Sequence, residues 1–198
     1  MQYAVLARHA ETVLNLERRV SGDPTVDVPL TEKGETEART LGRQLADLEL
    51  DACVHTRFPR TRRTAELALV GRDVPFVVEP LFDDIDVGEF DGASLAEYRA
   101  WKHGHPRNVP FPGGESLDDA ARRYAAACRR LLDGEHARVL VVCHEIPVRY
   151  ALNGLARSDQ LDGPAHEIGN AVPYFFTADL LARAAEGIER LVGTVPET

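Results

Sequence analysis

Three groups of residues in this chain bring charge and imidazole together, and each directly follows an apolar run of strand length. "ARHAETVLN", residues 7–15, sets Arg8 and His9 behind "YAVLA"; "TRFPR" sets Arg57 and Arg60 behind "DACVH"; and His144 follows "RVLVVC". Two arginines and two histidines at one place suit a compact dianion such as a phosphoryl group. The guanidinium fork matches its oxygens in pairs and stays charged at any working pH. A neutral imidazole beside those arginines can attack phosphorus and carry the group covalently. Alignment and charge stabilisation supply most of the remaining catalysis. A carboxylic acid must then protonate the leaving alkoxide, and the acid-rich stretch from Asp83 to Asp91 offers candidates.

For these groups to meet, the runs before them must be strands of one sheet. Strands are predicted at Tyr3–Ala7, in "DACVH", in the extended "PFVVEP", in "RVLVVC" and in "VPYFF". Between them, Thr31 is the N-cap of a helix with Ala38, Leu41, Leu45 and Leu48 at helical spacing. "RTAELAL" is a second helix, Ser116 caps a third running to about Leu132, and "PVRYALNGL" is a fourth. The tail "ADLLARAAEGIERLVGTV" reads as helix, with a terminal hairpin left open by Gly187. "WKHGHPRNVPFPGG", from Trp101 to Gly114, is dense in glycine and proline and is predicted to be loop, the natural lid. Strands alternating with helices imply an α/β three-layer sandwich, a mostly parallel central sheet with helices on both faces. Ligands in such sheets bind beyond the carboxyl ends of the strands, which brings the three groups to one edge. A single domain over 1–198 is expected, with a lid or insertion around 84–116.

The chain has 198 residues, 44% of them hydrophobic and 28% charged, the balance of an ordinary soluble globular protein. Its net charge of −9 argues against nucleic acid, so an anionic ligand needs a local basic pocket. The first apolar run is too short for a signal core or a spanning helix; a cytoplasmic protein with no membrane partner is expected. Cys53, Cys128 and Cys143 form no CxxC pair and are read as reduced core thiols. His144 and Glu145 open no H-E-x-x-H zinc motif, because Val148 holds the second histidine's place. His103 and His105 lack a third metal ligand and read as solvated loop residues. No metal or cofactor is expected.

The ordered set of motifs resembles the phosphoglycerate-mutase-like branch of the histidine phosphatase superfamily from about Tyr3 to Asn170. "ARHAETVLN" is similar to that family's Arg-His-Gly-Glu-Thr motif and its following Asn, which implies His9 as nucleophile, Arg8 as phosphate clamp and Asn15 as a ligand. "RRVSGDPTVDVPLTEKG" resembles the next segment and places Ser21 and Gly22 near the substrate. In "TRFPRTRRTAEL" Arg60 falls on the second catalytic arginine; in "DDIDVGEFDG" Asp84 falls on the proton donor; "VVCHEIPVRYAL" makes His144 the second phosphate-pocket histidine. Three departures matter. Ala10 replaces the motif's glycine, so either its backbone angles are permissive or its loop is slightly strained. Asp84 is shorter than the commoner glutamate and has Asp83 as a rival. Glu145 stands where small residues are usual, and either repels an anionic substrate or selects a cationic or hydroxyl-bearing one.

The expected activity is phosphomonoester hydrolysis through a phosphohistidine on His9, with a small phosphorylated substrate. Mutases of the family, as the resemblance implies, carry a longer insertion with paired arginines after a tryptophan; here Lys102 and His103 follow Trp101. A mutase-type phosphotransferase and a catalytically silent phospho-ligand-binding member are the alternatives. No nucleic-acid partner is expected, and a homodimer is compatible with the sequence.

Overall fold

The two most continuous apolar runs become the middle of the sheet: β1 (Tyr3–Arg8) lies parallel to β4 (Arg138–Cys143), with Arg8 opposite Cys143. The computed structural model describes residues 1–198 apart from 159, 161, 164, 166 and 194–198. β2 (Ala52–His55) pairs parallel with β4, β3 (Phe76–Val78) pairs parallel with β2, and β5 (Pro173–Thr177) runs antiparallel along β1. The order is β3-β2-β4-β1-β5.

Pleating sends alternate side chains of the central strands to opposite faces. Ala4, Leu6, Val139, Val141 and Cys143 enter one core, against α5 (Leu117–Asp133), α6 (Glu145–Leu155) and α7 (Ala178–Gly193). Val5, Ala7, Leu140 and Val142 enter the other, against α2 (Glu32–Gln44) and α3 (Pro59–Ala68). The three-layer sandwich follows from those two apolar faces. All three cysteines are unpaired and buried in these cores, and burial pushes the thiols of Cys53 and Cys128 up to about 12.

Local signals set the helix starts. Thr31 Oγ1 accepts from the Gly34 amide at 2.9 Å, and Ser116 exchanges bonds with Asp119 in a capping box. A further cap departs from the expectation of loop beyond Trp101. Ser94 and Glu97 form another capping box that starts α4 (Leu95–Gly104), so Trp101–Gly104 are helix rather than loop. The cap outweighs the flexible composition, and the helix ends at Gly104 before the irregular stretch to Gly114. A short α1 (Val13–Leu16), likewise unanticipated, follows β1. The lid is packed: Phe111 is buried, stacked on Trp101 at 4.1 Å and on Tyr98 at 5.4 Å.

The tail is helix, and Gly187 is the reason it packs. A Cβ there would lie 2.1 Å from the Gly154 carbonyl oxygen of α6, so only glycine lets the two helices approach this closely. Residues 194–195 of the predicted tail lie outside the described residues. Among those described, no helix is long and apolar enough to cross a membrane.

After β1 the chain leaves to the α2 face, and after β4 it leaves to the α6 face. Adjacent parallel strands whose connections part in this way open a crevice at their carboxyl ends. The chemistry-bearing residues stand there.

Candidate active site

The register of β1 on β4 places the two histidines. The Arg8–Cys143 pairing and a bond from the His9 amide to the Cys143 carbonyl (2.9 Å) leave residues 9 and 144 side by side, ring centroids 5.4 Å apart. His9 Nδ1 lies 2.8 Å from the Ala10 carbonyl. A carbonyl can only accept, so Nδ1 carries the proton and Nε2 holds a lone pair. Burial, then Arg60 and Arg8, holds the His9 imidazole well below its usual range, keeping it neutral. Ala10 needs no left-handed backbone, and its amide donates to Thr64 Oγ1 at 3.0 Å. Of the two possibilities for that substitution, backbone angles that permit alanine hold. Asn170 donates to the His9 carbonyl at 2.8 Å from a distant loop.

Arg60 is 3% exposed, and Arg57, Arg62 and Arg63 turn outward. Its guanidinium donates to Ser21 Oγ (3.2 Å), the Ser21 carbonyl (3.0 Å), Asp84 Oδ2 (3.3 Å) and His144 Nδ1 (3.2 Å). His144 Nδ1 is thereby an acceptor, so Nε2–H donates to Thr56 Oγ1 at 3.0 Å. His144 is fully buried behind Arg60, its imidazole also held well below the usual range by burial and then by Arg60. Arg8 donates to the Ile168 carbonyl and to Glu145, both at 2.9 Å. Its Nε is buried with no partner among the described residues, a donor that a phosphoryl oxygen would satisfy.

Asp83 and Asp84 point in different directions. Asp83 accepts from the Arg57 amide (2.9 Å) and guanidinium (2.5 Å), away from the histidines. Asp84 Oδ2 faces inward, 3.4 Å from His144 Nδ1, and burial raises its carboxyl, with Arg60 opposing. Arg60 Nη2 bridges these two acceptors. Arg123 on α5 positions the acid loop by donating to the carbonyls of Leu81 (3.1 Å), Asp83 (2.9 Å) and Asp84 (3.2 Å). No sequence signal marked it, because its partners lie some forty residues away along the chain.

A cavity of about 390 Å³ opens over this centre, walled by Arg8, His9, Asn15, Ser21, Arg60 and Asp84. Asn15 Oδ1 accepts from the Thr12 amide (3.1 Å), which leaves its NH₂ for a ligand. Gly22 lies outside that wall, on an adjoining acidic cleft that also reaches Asp84. Glu145 is on the wall, paired with Arg8 and with Arg149. Four arginines not singled out from sequence, Arg18, Arg19, Arg99 and Arg149, also line the cavity. His103 and His105 are exposed, His105 stacked on Trp101. No metal-ligand cluster occurs among the described residues.

Known proteins share this design. The family model of the histidine phosphatase superfamily (branch 1) matches residues 4–194. A 2,3-bisphosphoglycerate-dependent phosphoglycerate mutase of a Methylobacterium species is 31% identical, over 94% of this chain and 97% of its own. The probable phosphoglycerate mutase GpmB of Erwinia tasmaniensis is 32% identical, over 73% of this chain and 70% of its own. The solved structure of YhfR from Bacillus stearothermophilus superposes with a TM-score of 0.78 at 28% identity, over 88% of this chain and 90% of its own. With its fold, its ordered motifs and this family match in agreement, the chain belongs to branch 1 of the histidine phosphatase superfamily.

Proposed function

We propose that the protein hydrolyses phosphomonoesters through a phosphohistidine on His9. The observation that carries this reading is the His9 tautomer: Nδ1–H is tied to the Ala10 carbonyl, and an unprotonated Nε2 is left beside two guanidiniums on a cavity wall. In the first step Nε2 attacks phosphorus, the ester P–O bond breaks, and Asp84 gives its proton to the departing alkoxide. Arg8 and Arg60 hold the phosphoryl oxygens, and His144 braces Arg60 from behind. In the second, a water oxygen attacks phosphorus, ionised Asp84 takes the water's proton, and the N–P bond breaks to free His9 and inorganic phosphate.

A mutase would use the same phosphohistidine but hand the group to a second hydroxyl. Hydrolysis is favoured because the Glu145 carboxylate, 2.9 Å from Arg8, opposes an anionic group next to the scissile ester. The test is wild-type protein with a chelator present, given 4-nitrophenyl phosphate, several alkyl phosphates and 3-phosphoglycerate. Phosphate release from the monoesters with poor 2-/3-phosphoglycerate interconversion is expected. Efficient interconversion with little phosphate release makes the protein a mutase, and no turnover with retained binding makes it a silent member.

A further inference from the structure

We propose that the preferred substrate is a phosphomonoester with a second anionic group several atoms from phosphorus, held by Arg18 and Arg99 at the cavity mouth. The inference rests on the phosphatase reading of His9 and adds the substrate's far end. Leu95, Tyr98, Arg99 and Lys102 of α4 line the cavity at the one-face spacing of a helix. The loop after α1 is stapled to the start of that helix. The Leu95 amide donates to the Arg18 carbonyl (2.8 Å), Val20 to Ala93 (2.9 Å) and Gly92 to Val20 (3.0 Å). Arg18 and Arg99 therefore sit on one rigid rim. Arg18 holds a left-handed backbone, φ 57°, which a residue with a side chain adopts at a cost.

The charges sort by depth. Arg60 is matched by Asp84, Arg8 by Glu145, Arg149 by Glu145 and by Asp162 at 3.6 Å, Lys102 by Asp162 at 3.1 Å, and Arg19 faces Glu17 at 3.9 Å. Among the described residues no carboxylate pairs with Arg18 or Arg99. In a chain with 32 acidic and 23 basic residues, two unmatched guanidiniums on one cavity mouth are a local excess of positive charge. Glu145 repels a second anion close to the phosphoryl group, and the rim attracts one farther out. The two observations together select a remote anion over a vicinal one. Solvated surface arginines with no ligand are the rival explanation.

The probes are hexyl phosphate, 6-(phosphonooxy)hexanoate, hexane-1,6-diyl bisphosphate and phosphoglycolate. Binding is measured by calorimetry on His9→Ala protein, which reads the rim without turnover, and kcat/KM is measured on wild type. Two exposed charge contacts are together worth roughly tenfold in affinity. Both remote dianions should bind about tenfold more tightly than hexyl phosphate, and phosphoglycolate should gain nothing. In Arg18→Asn/Arg99→Gln protein that advantage should fall below about threefold; asparagine is chosen because it tolerates the left-handed backbone. It should also shrink as salt rises from ~0.01 M to ~1 M, which shortens the screening length from about 30 Å to about 3 Å. Preference for the bisphosphate alone assigns the rim to phosphate, and equal preference assigns it to anions in general. Equal affinity for hexyl phosphate and the dianions, or an advantage that survives the double variant, overturns the proposal. Tight, rim-dependent binding with no phosphate released by wild type overturns the hydrolase reading instead.

Discussion

Replacing Asp84 by asparagine separates proton donation from charge balance. The amide cannot donate a carboxyl proton to an alkoxide, and loss of a general acid costs a hundred- to ten-thousandfold in rate, about 2.7–5.4 kcal/mol of barrier. That loss should fall on kcat for alkyl phosphates, whose leaving groups are strong bases. With 4-nitrophenyl phosphate the leaving group needs little protonation, and kcat should drop less than about tenfold. A second effect has the opposite sign. Asp84 Oδ2 accepts from Arg60 at 3.3 Å in the resting site and so competes with the substrate for that guanidinium. Asparagine keeps an acceptor oxygen there but loses the charge, so the bond should weaken by up to about 1.4 kcal/mol and KM should fall up to roughly tenfold. Arg60 keeps its bonds to Ser21 and His144, which limits the stability lost from a guanidinium without its carboxylate. The assay is steady-state kcat and KM for both substrate types in wild type, Asp84→Asn and Asp83→Asn. Equal losses of kcat on alkyl and aryl esters would refute the proton-donor assignment. A crippled Asp83→Asn beside a healthy Asp84→Asn would refute the inward and outward facing of the pair.

His9→Ala should abolish turnover, and wild type quenched with substrate should carry an acid-labile, base-stable phosphate; an alanine variant with most of its activity removes the mechanism. Stability should fall with acid. His9 and His144 are held below the ordinary 6.5 when folded, so the unfolded chain takes protons that the folded one refuses. Each contributes up to ~1.4 kcal/mol of loss per pH unit below about 6.5, offset in part by the raised Asp84 carboxyl. Urea titrations from pH 7.5 to 5.5 read this, and a flat midpoint contradicts it. Gly187→Ala should lower Tm by roughly 5–10 °C, because its Cβ meets backbone that cannot yield. Gly104→Ala, with open space around its Cβ, should be neutral or slightly stabilising, and matching losses at both positions would point to helix propensity instead.

Some of this protein is written locally. The apolar runs that become β1, β2 and β4, the caps at Thr31 and Ser116, and the polar residues directly after each strand are short-range patterns, and the observed elements begin and end within a few residues of them. Membership of one sheet then delivers His9 and His144 to the same edge, because parallel strands end together. Other features depend on partners far along the chain. Periodicity cannot tell Asp84 from Asp83; the division is made by Arg57 on one side and by Arg60 and His144 on the other. The tail's helix depends on Gly187 meeting Gly154, a contact between residues 33 positions apart that composition read as an interruption. Trp101–Gly104 are helical because Ser94 and Glu97 cap the segment and Phe111 packs against Trp101, whereas composition pointed to loop. Nothing local marks the roles of Arg123, Thr56 and Asn170, since they act on the acid loop, His144 and His9 only once α5, β2 and the loop before β5 have packed beside them. The residue types that do chemistry could be read from the chain; which atom of each faces the cavity is decided by packing, because a side chain's direction is set by neighbours that folding brings to it.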